Sequence, residues 1–392
     1  MAFGNKVSYA DTTTQIRSVI PEFDLLSPAE VPVLKWMTGG NDDKPSLNNL
    51  DAPCTQTQYE WMEDTDPAHT STLGAAFADA VGTALNLASG IADLVEGQII
   101  LVDSEQMLVT TVTGANTATV TRGWGGTTAA SHLINAVVTF VGSAHKEGAD
   151  APSAINSVPI MPYNVVQEFT KTIQLSEIEQ AINRYGIDNA IEYETAKRAR
   201  QLYIDMEKQL FYGKRVTATS SLPGAFGGFD TYVPAGNIIA GGSADLTGTM
   251  VMQAVQKCFD AVGMAGIPDT IVCSAKTRRK LSLLFSSYNS VVTYREQADN
   301  VGGVKVDKIV TDFGELDILV SNWCPTFNLY ILKKEKLGIG PLNGPGGNKE
   351  MRREMLAKTG TSDKFMITGD YTFQMRASSM HCGVSGYILN GI

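Results

Sequence analysis

Four histidines and five cysteines carry most of the reactive chemistry this 392-residue chain could offer. An imidazole-based acid or metal centre needs two or more rings to converge. His69 and His145 flank a compositionally distinct stretch, His132 lies inside it, and His381 stands near the C-terminus, so sequence alone brings no two together. The cysteines (Cys54, Cys258, Cys273, Cys324, Cys382) are widely spaced, and no C-x-x-C pair occurs. Structural zinc sites need closely spaced ligands, so reduced, buried thiols are expected. His381 and Cys382 are adjacent, and on a strand they face opposite ways. No G-x-S-x-G marks a hydrolase nucleophile. Gly344-Pro-Gly-Gly-Asn-Lys349 has glycines and a lysine, but Pro345 removes an amide and Glu350 stands where a P-loop has Ser or Thr. A flexible loop is the better reading. No catalytic, cofactor-binding or metal-binding set emerges, so the expectation is a protein that is not an enzyme and needs no cofactor.

The charged residues point the same way. Glu177, Glu179, Glu192, Glu194 and Asp205 lie on or near one long helical segment, where Glu194 and Arg198 have the i, i+4 order of a helix surface pair. Arg278-Arg279-Lys280, Lys333-Lys334 and Arg352-Arg353 are short, separated basic groups. With a net charge of −10, they do not make a broad nucleic-acid surface, though local contacts with a polyanion are compatible with it. Arg122-Gly-Trp-Gly-Gly-Thr-Thr128 is the most unusual short motif. Gly123, Gly125 and Gly126 allow a tight turn with positive φ, and Trp124 is either a packing ring of a small β domain or an exposed ring for a ligand such as a sugar.

The elements that would position these groups can be read from periodicity. Ile187, Ile191, Leu202, Met206 and Leu210 recur near multiples of four, which predicts one amphipathic helix over 187–212, between Gly186 and Gly213. Such a rod would be roughly 39 Å long. Residues 1–55 read as an extended arm punctuated by Pro21, Pro28, Pro32, Pro45 and Pro53. Its apolar residues Phe23, Leu25, Leu26, Val31, Val33, Leu34 and Trp36 must be buried on the chain's own body or on a neighbour. Thr55–Glu63 reads as a strand with Tyr59 and Trp61 on one side. Residues 73–142 are rich in Ala, Gly, Thr and Val. Strands are expected there at Gln98–Asp103, Gln106–Val112, Thr117–Arg122 and Ala136–Val141, which together suggest a small inserted β-barrel or sandwich. Further strands are expected at Val165–Leu175, Thr270–Cys273, Leu316–Ser321, Asn328–Lys333 and Thr372–Met375. Helices are expected at Leu246–Val262, ending at Gly263, and at Ala275–Phe285 behind Ser274 as N-cap. Gly224–Gly242 reads as a loop. The fold class is α+β. The first residues have no cationic start and apolar core, and no window of about 18 residues is continuously apolar, so neither a secretory signal nor a membrane span is expected.

Pro28-Ala-Glu-Val-Pro-Val33, Gln58-Tyr-Glu-Trp-Met-Glu-Asp64, Glu147-Gly-Ala-Asp150 and Asn164-Val-Val-Gln167, followed by the long helix, form an ordered set. In that order the chain resembles the tailed-phage major capsid proteins typified by phage SU-ten, with the Hong Kong 97-type shell fold. The resemblance implies an N-terminal arm (1–55), an extended loop (56–72 with 143–175) and a peripheral domain (176–244 with 326–392) that carries the spine helix. It also implies an axial domain (245–325). Residues 73–142 depart from the plain pattern as an insertion. The implied function is self-assembly into an icosahedral head shell around double-stranded DNA, in the virion, after assembly in host cytoplasm. The implied partners are other copies in hexamers and pentamers, portal and scaffold or decoration proteins, and the packaged DNA by non-specific contact; no membrane is implied. Trp36, Trp61 and Phe169 are the rings expected to anchor subunit contacts, with Lys171, Glu194 and Arg198 as polar contacts. An encapsulin-type nanocompartment shares this fold. A carbohydrate-binding or adhesion role through 73–142 is the alternative from another class.

Overall fold

The computed structural model describes residues 30–41, 44–64, 69–88, 94–114, 116–148, 150–151, 158–182, 187, 189–287, 308–344, 347–358 and 360–391. Phe23, Leu25, Leu26, Pro21, Pro28, Gly186, Pro345 and Gly346 therefore lie outside the described residues. The chain divides into two compact units, Met62–Pro162 and a host made of the residues before and after it.

Two larger sheets organise the host. The first is four-stranded: Gln167–Ser176 pairs with Ser362–Met375, which also pairs with Leu337–Pro341 and Arg352–Met355. The spine helix, Ala190–Tyr212, buries Leu202, Met206, Leu210 and Phe211 in the same core as Phe169, Ile173 and Phe373. It begins three residues after the start predicted from apolar spacing, because the Asn189 side chain caps it by accepting the N–H of Ile191 at 3.0 Å and of Glu192 at 3.4 Å. Only its C-terminal half is buried in this chain.

The second sheet is six-stranded, in the order Ile238–Ala240, Cys382–Ser385, Asn328–Leu332, Thr270–Cys273, Gly314–Val320, Lys308–Thr311. Its central strands are buried on both faces, which is why they read as unbroken apolar runs. Ile271, Cys273, Leu329 and Ile331 pack with the helix Gly248–Val262, while Val272, Tyr330 and Leu332 enter the spine-helix core. One strand layer thus serves two cores. Thr247 caps Gly248–Val262 through the Met250 N–H, and Gly263 ends it at φ 75°.

Several expectations change here. The boundary between 245–325 and 326–392 cuts through this sheet, since Asn328–Leu332 pairs directly with Thr270–Cys273. Gly224–Gly242 is not a plain loop: it holds the short helix Phe229–Tyr232 and the strand Ile238–Ala240. The strand at Thr55–Glu63 shrinks to Gln58–Glu60, paired with Tyr163–Val165, and Gln167–Ser176 belongs to the host sheet rather than to an extended loop. Ser362–Met375 is far longer than Thr372–Met375, because half-buried polar residues and Gly369 obscure its pattern.

The other unit holds a six-stranded antiparallel sheet ordered Thr70–Thr72, Val137–Ser143, Gln98–Val102, Glu105–Gly114, Thr117–Thr121, Ala84–Asn86. Its two outer strands meet through a Leu73–Leu87 bridge, with Gly74 N–H to Asn86 O at 2.8 Å and Ala88 N–H to Thr72 O at 2.9 Å. That contact joins the sheet into a barrel and removes its open edges. Leu73, Leu85, Leu87, Ile100, Met107 and Val138 fill the interior.

Candidate assembly site

The arm supplies the first contacts. Pro32–Thr38 is a helix whose Val33 and Leu34 are fully buried and whose Met37 is nearly so, all in the host core. The fully buried carboxylate of Glu207, on the spine helix, meets it. Glu207 Oε2 accepts the N–H groups of Val33 at 3.2 Å and Leu34 at 3.3 Å, and Oε1 accepts the Ser321 hydroxyl at 2.6 Å. Burial pushes the Glu207 carboxyl up to about 7 against the pull of these hydrogen bonds. Sequence reasoning missed Glu207. Its signal was position: it stands three residues before Leu210 and four before Phe211, on the buried face.

The proposed anchor rings divide. Trp61 and Phe169 are each 6% exposed and sit inside this chain. Trp61 packs against Tyr232 at 5.5 Å between centroids, and Phe169 against Phe226 at 5.8 Å. Both rings belong to the host core. Trp36 is half-buried against the same core. Lys171 pairs with Asp205 at 2.5 Å, both partly exposed, and Arg198 lies 3.8 Å from Glu194 and donates to Gln201 at 2.8 Å.

Asn164 and Gln167 have a structural role that their motif did not disclose. The buried Asn164 amide donates to the carbonyls of Gly227 at 3.1 Å and Phe373 at 2.7 Å, and its oxygen accepts the N–H groups of Gly227 and Val165, both at 2.9 Å. Gln167 accepts the Phe226 N–H at 3.1 Å. Together they fix the turn that carries Phe226 and Phe229 into the aromatic core.

In the barrel, Arg122 begins the glycine turn and organises it. It donates to Glu105 twice at 2.8 Å, to the carbonyls of Asp79 at 3.2 Å and Gly82 at 2.9 Å, and to that of Ala130. Its guanidinium also lies 4.5 Å from the Phe77 ring centre. Glu105, fully buried, further accepts the N–H groups of Gly123 at 2.9 Å and Ala130 at 3.0 Å and contacts His132 Nε2 at 3.0 Å. His132 Nδ1 faces Asp103 at 2.7 Å. Burial alone would raise the Glu105 carboxyl; the bonds from Arg122, Ala130, His132 and Gly123 outweigh it and hold it at about 2. Gly123, Gly125 and Gly126 have φ of 63°, 67° and 83°, and Trp124 is 36% exposed on this pinned turn.

His381 and the five cysteines are shut away by burial, while His69 and His145 are exposed. His381 is fully buried and pushed down to about 4 by desolvation; its Nδ1 accepts the Lys333 N–H at 3.2 Å. The five cysteines are free and buried. Among the described residues, no group of three or more His, Cys, Asp or Glu side chains is placed to hold a metal ion, and no helix is long and apolar enough to cross a membrane. Among the exposed apolar side chains, Met62 (74%), Val158 (83%), Ile160 (56%) and Met161 (58%) stand out where Glu63 bridges Ile160, and Ile178 (75%) and Ile182 (55%) stand out at the short helix Glu177–Ala181.

A long helix packed on one sheet, an arm helix and a second sheet shared by two cores make up the host fold. The solved capsid of a native GTA particle has this fold, at a TM-score of 0.52 and 10% identity over 99% of this chain and 100% of that one. A family model described as SU10 major capsid protein matches residues 6–387, and the chain belongs to that family. It is the major capsid protein of a tailed phage, a structural protein of the virion that assembles with its own copies into a shell. The chain is also similar to a structure titled Mycobacterium phage Adephagia (TM-score 0.46, 12% identity, 99% of this chain and 100% of that one). It is similar, too, to the holo-SrpI encapsulin complex from Synechococcus elongatus PCC 7942 (TM-score 0.40, 7% identity, 60% and 80%). No curated protein sequence matches it.

Proposed function

We propose that this subunit closes an icosahedral head as hexamers and pentamers around packaged double-stranded DNA. Assembly takes place in host cytoplasm, with portal and scaffold or decoration proteins as partners. The observation that carries this reading is the aliphatic surface of Met62, Val158, Ile160 and Met161, exposed in a chain whose cores are already filled. Clustered apolar surface of this kind marks interaction sites. Several weak contacts per subunit, each worth about 4 kcal/mol, suffice to hold a closed shell. Half-buried Trp36 and the partly exposed Lys171, Glu194 and Arg198 are assigned to the rims of such contacts. The acidic balance keeps contact with DNA local and non-specific. On the barrel, the exposed ring of Trp124 is available to an external ligand such as a glycan.

Combined replacement of Met62, Val158 and Ile160 by Ser tests the reading. Retained fold with loss of shells, seen by circular dichroism and electron microscopy, supports it. Normal shells from the triple variant would remove that surface from the account. Nuclease-protected double-stranded DNA in shells from infected cells separates a phage head from an encapsulin-type compartment.

A further inference from the structure

We propose that Glu207 is a proton-dependent latch, holding the arm helix Pro32–Thr38 on the spine helix while protonated and loosening that hold as it ionises. The geometry is that of a joint between three elements. One carboxyl meets two amides of the arm helix and the hydroxyl of Ser321, which itself accepts the Trp323 N–H at 3.2 Å. The Trp323 indole donates to the Glu30 carbonyl at 3.0 Å, so the same turn also grips the residue leading into the arm helix. Moving the arm helix away breaks the two amide bonds and lets water reach a carboxyl that is 0% exposed when docked.

Among the described residues, the donors to this carboxyl are two amides and a hydroxyl, all neutral. The titratable side chains on the elements packed against it are Lys208, Lys35 and Cys324. Lys208, the next residue on the spine helix, places its ammonium 4.5 Å from the Trp323 ring centre. Lys35 of the arm helix also has an interaction partner. Cys324, behind Ser321, is held far above the usual thiol range, first by burial and then by Cys273, Glu207 and Asp230. Among the described residues no cation offsets the burial of Glu207, and its carboxyl sits at about 7 rather than at the ordinary 4.5.

The sign of the linkage follows. A carboxyl raised in the docked state stabilises docking fully below its free value, and that stabilisation is lost as pH rises through about 7. Undocking therefore releases a proton between those values and becomes more favourable with pH, levelling off above the docked value. The latch works within one chain and is independent of which surfaces contact a neighbour.

Hydrogen exchange of the full-length unassembled subunit, followed by mass spectrometry from pH 5.5 to 8.5 and corrected for intrinsic exchange, tests it. Protection of the peptide spanning 31–38 should fall on the order of tenfold between pH 5.5 and 7.5 in the wild type. In Glu207→Gln it should not change with pH, and barrel peptides should not follow the wild-type trend. Equal pH dependence in both proteins, or none in the wild type, overturns the proposal. Ser321→Ala covers the case in which Glu207→Gln does not fold: losing a donor that favours the ionised carboxyl should move the wild-type midpoint upward. An unmoved midpoint overturns the proposal as well.

Discussion

The guanidinium of Arg122 and the carboxylate of Glu105 meet at two points, each 2.8 Å, inside the inserted barrel. This planar fork-to-fork pair is the hub on which the glycine turn, the 79–82 turn and the Ala130 segment converge. The Arg-Gly-Trp-Gly-Gly sequence is therefore first a folding device, and the exposure of Trp124 is a consequence of it.

Arg122→Ala leaves a buried carboxylate without its cation and strips three backbone carbonyls of their donor. Breaking one side of a buried pair costs about 3–5 kcal/mol. The barrel should melt well before the host, giving two transitions by calorimetry. Arg122→Lys should rescue only in part, because an ammonium cannot make the two-pronged contact. A single unshifted transition for Arg122→Ala would show that the hub is dispensable.

Acid should act on the same pair. The Glu105 carboxyl is held at about 2, below its ordinary 4.5. Its contribution is present above the unfolded value and is lost as pH falls toward the folded one. Stability of the barrel should thus decline from about pH 4.5 downward, and Glu105→Gln should flatten that decline while lowering stability at neutral pH. Urea titrations read by barrel-specific probes at pH 3 and pH 7 check it.

Gly228 touches the C-terminal end of the spine helix so closely that a Cβ there would collide with the carbonyls of Leu210 and Gln209. Those are backbone atoms and cannot rotate away. Gly228→Ala should destabilise the host by about 1–3 kcal/mol, the usual cost of overpacking. Gly236→Ala, which meets open space, is the matched control and should change little. Chemical denaturation of the two variants side by side gives the comparison.

Legibility in the sequence followed the range of the interactions. Thr270–Cys273, the helix from 248 to 262 and the four barrel strands were readable because apolar spacing and flanking turn residues are local signals. Glu207 and Glu105 were not, since their partners are distant in sequence: Val33 lies 174 residues from Glu207. The core partners of Trp61 and Phe169 were hidden for a related reason. A large ring in an extended segment is equally suited to a neighbour's surface and to the chain's own core, and Tyr232 and Phe226, which decide between them, belong to a stretch that read as loop. The arm divided in the same way: Val33 and Leu34 are host core, so a truncation meant to remove only the arm has to stop before them.

Electron microscopy of the purified full-length protein, paired with light scattering for mass, tests the central claim most directly. The account predicts closed polyhedral shells, or rings of five and six subunits, at micromolar concentration or above. A monodisperse monomer or dimer that persists at high concentration, with or without a co-expressed scaffold, would contradict it.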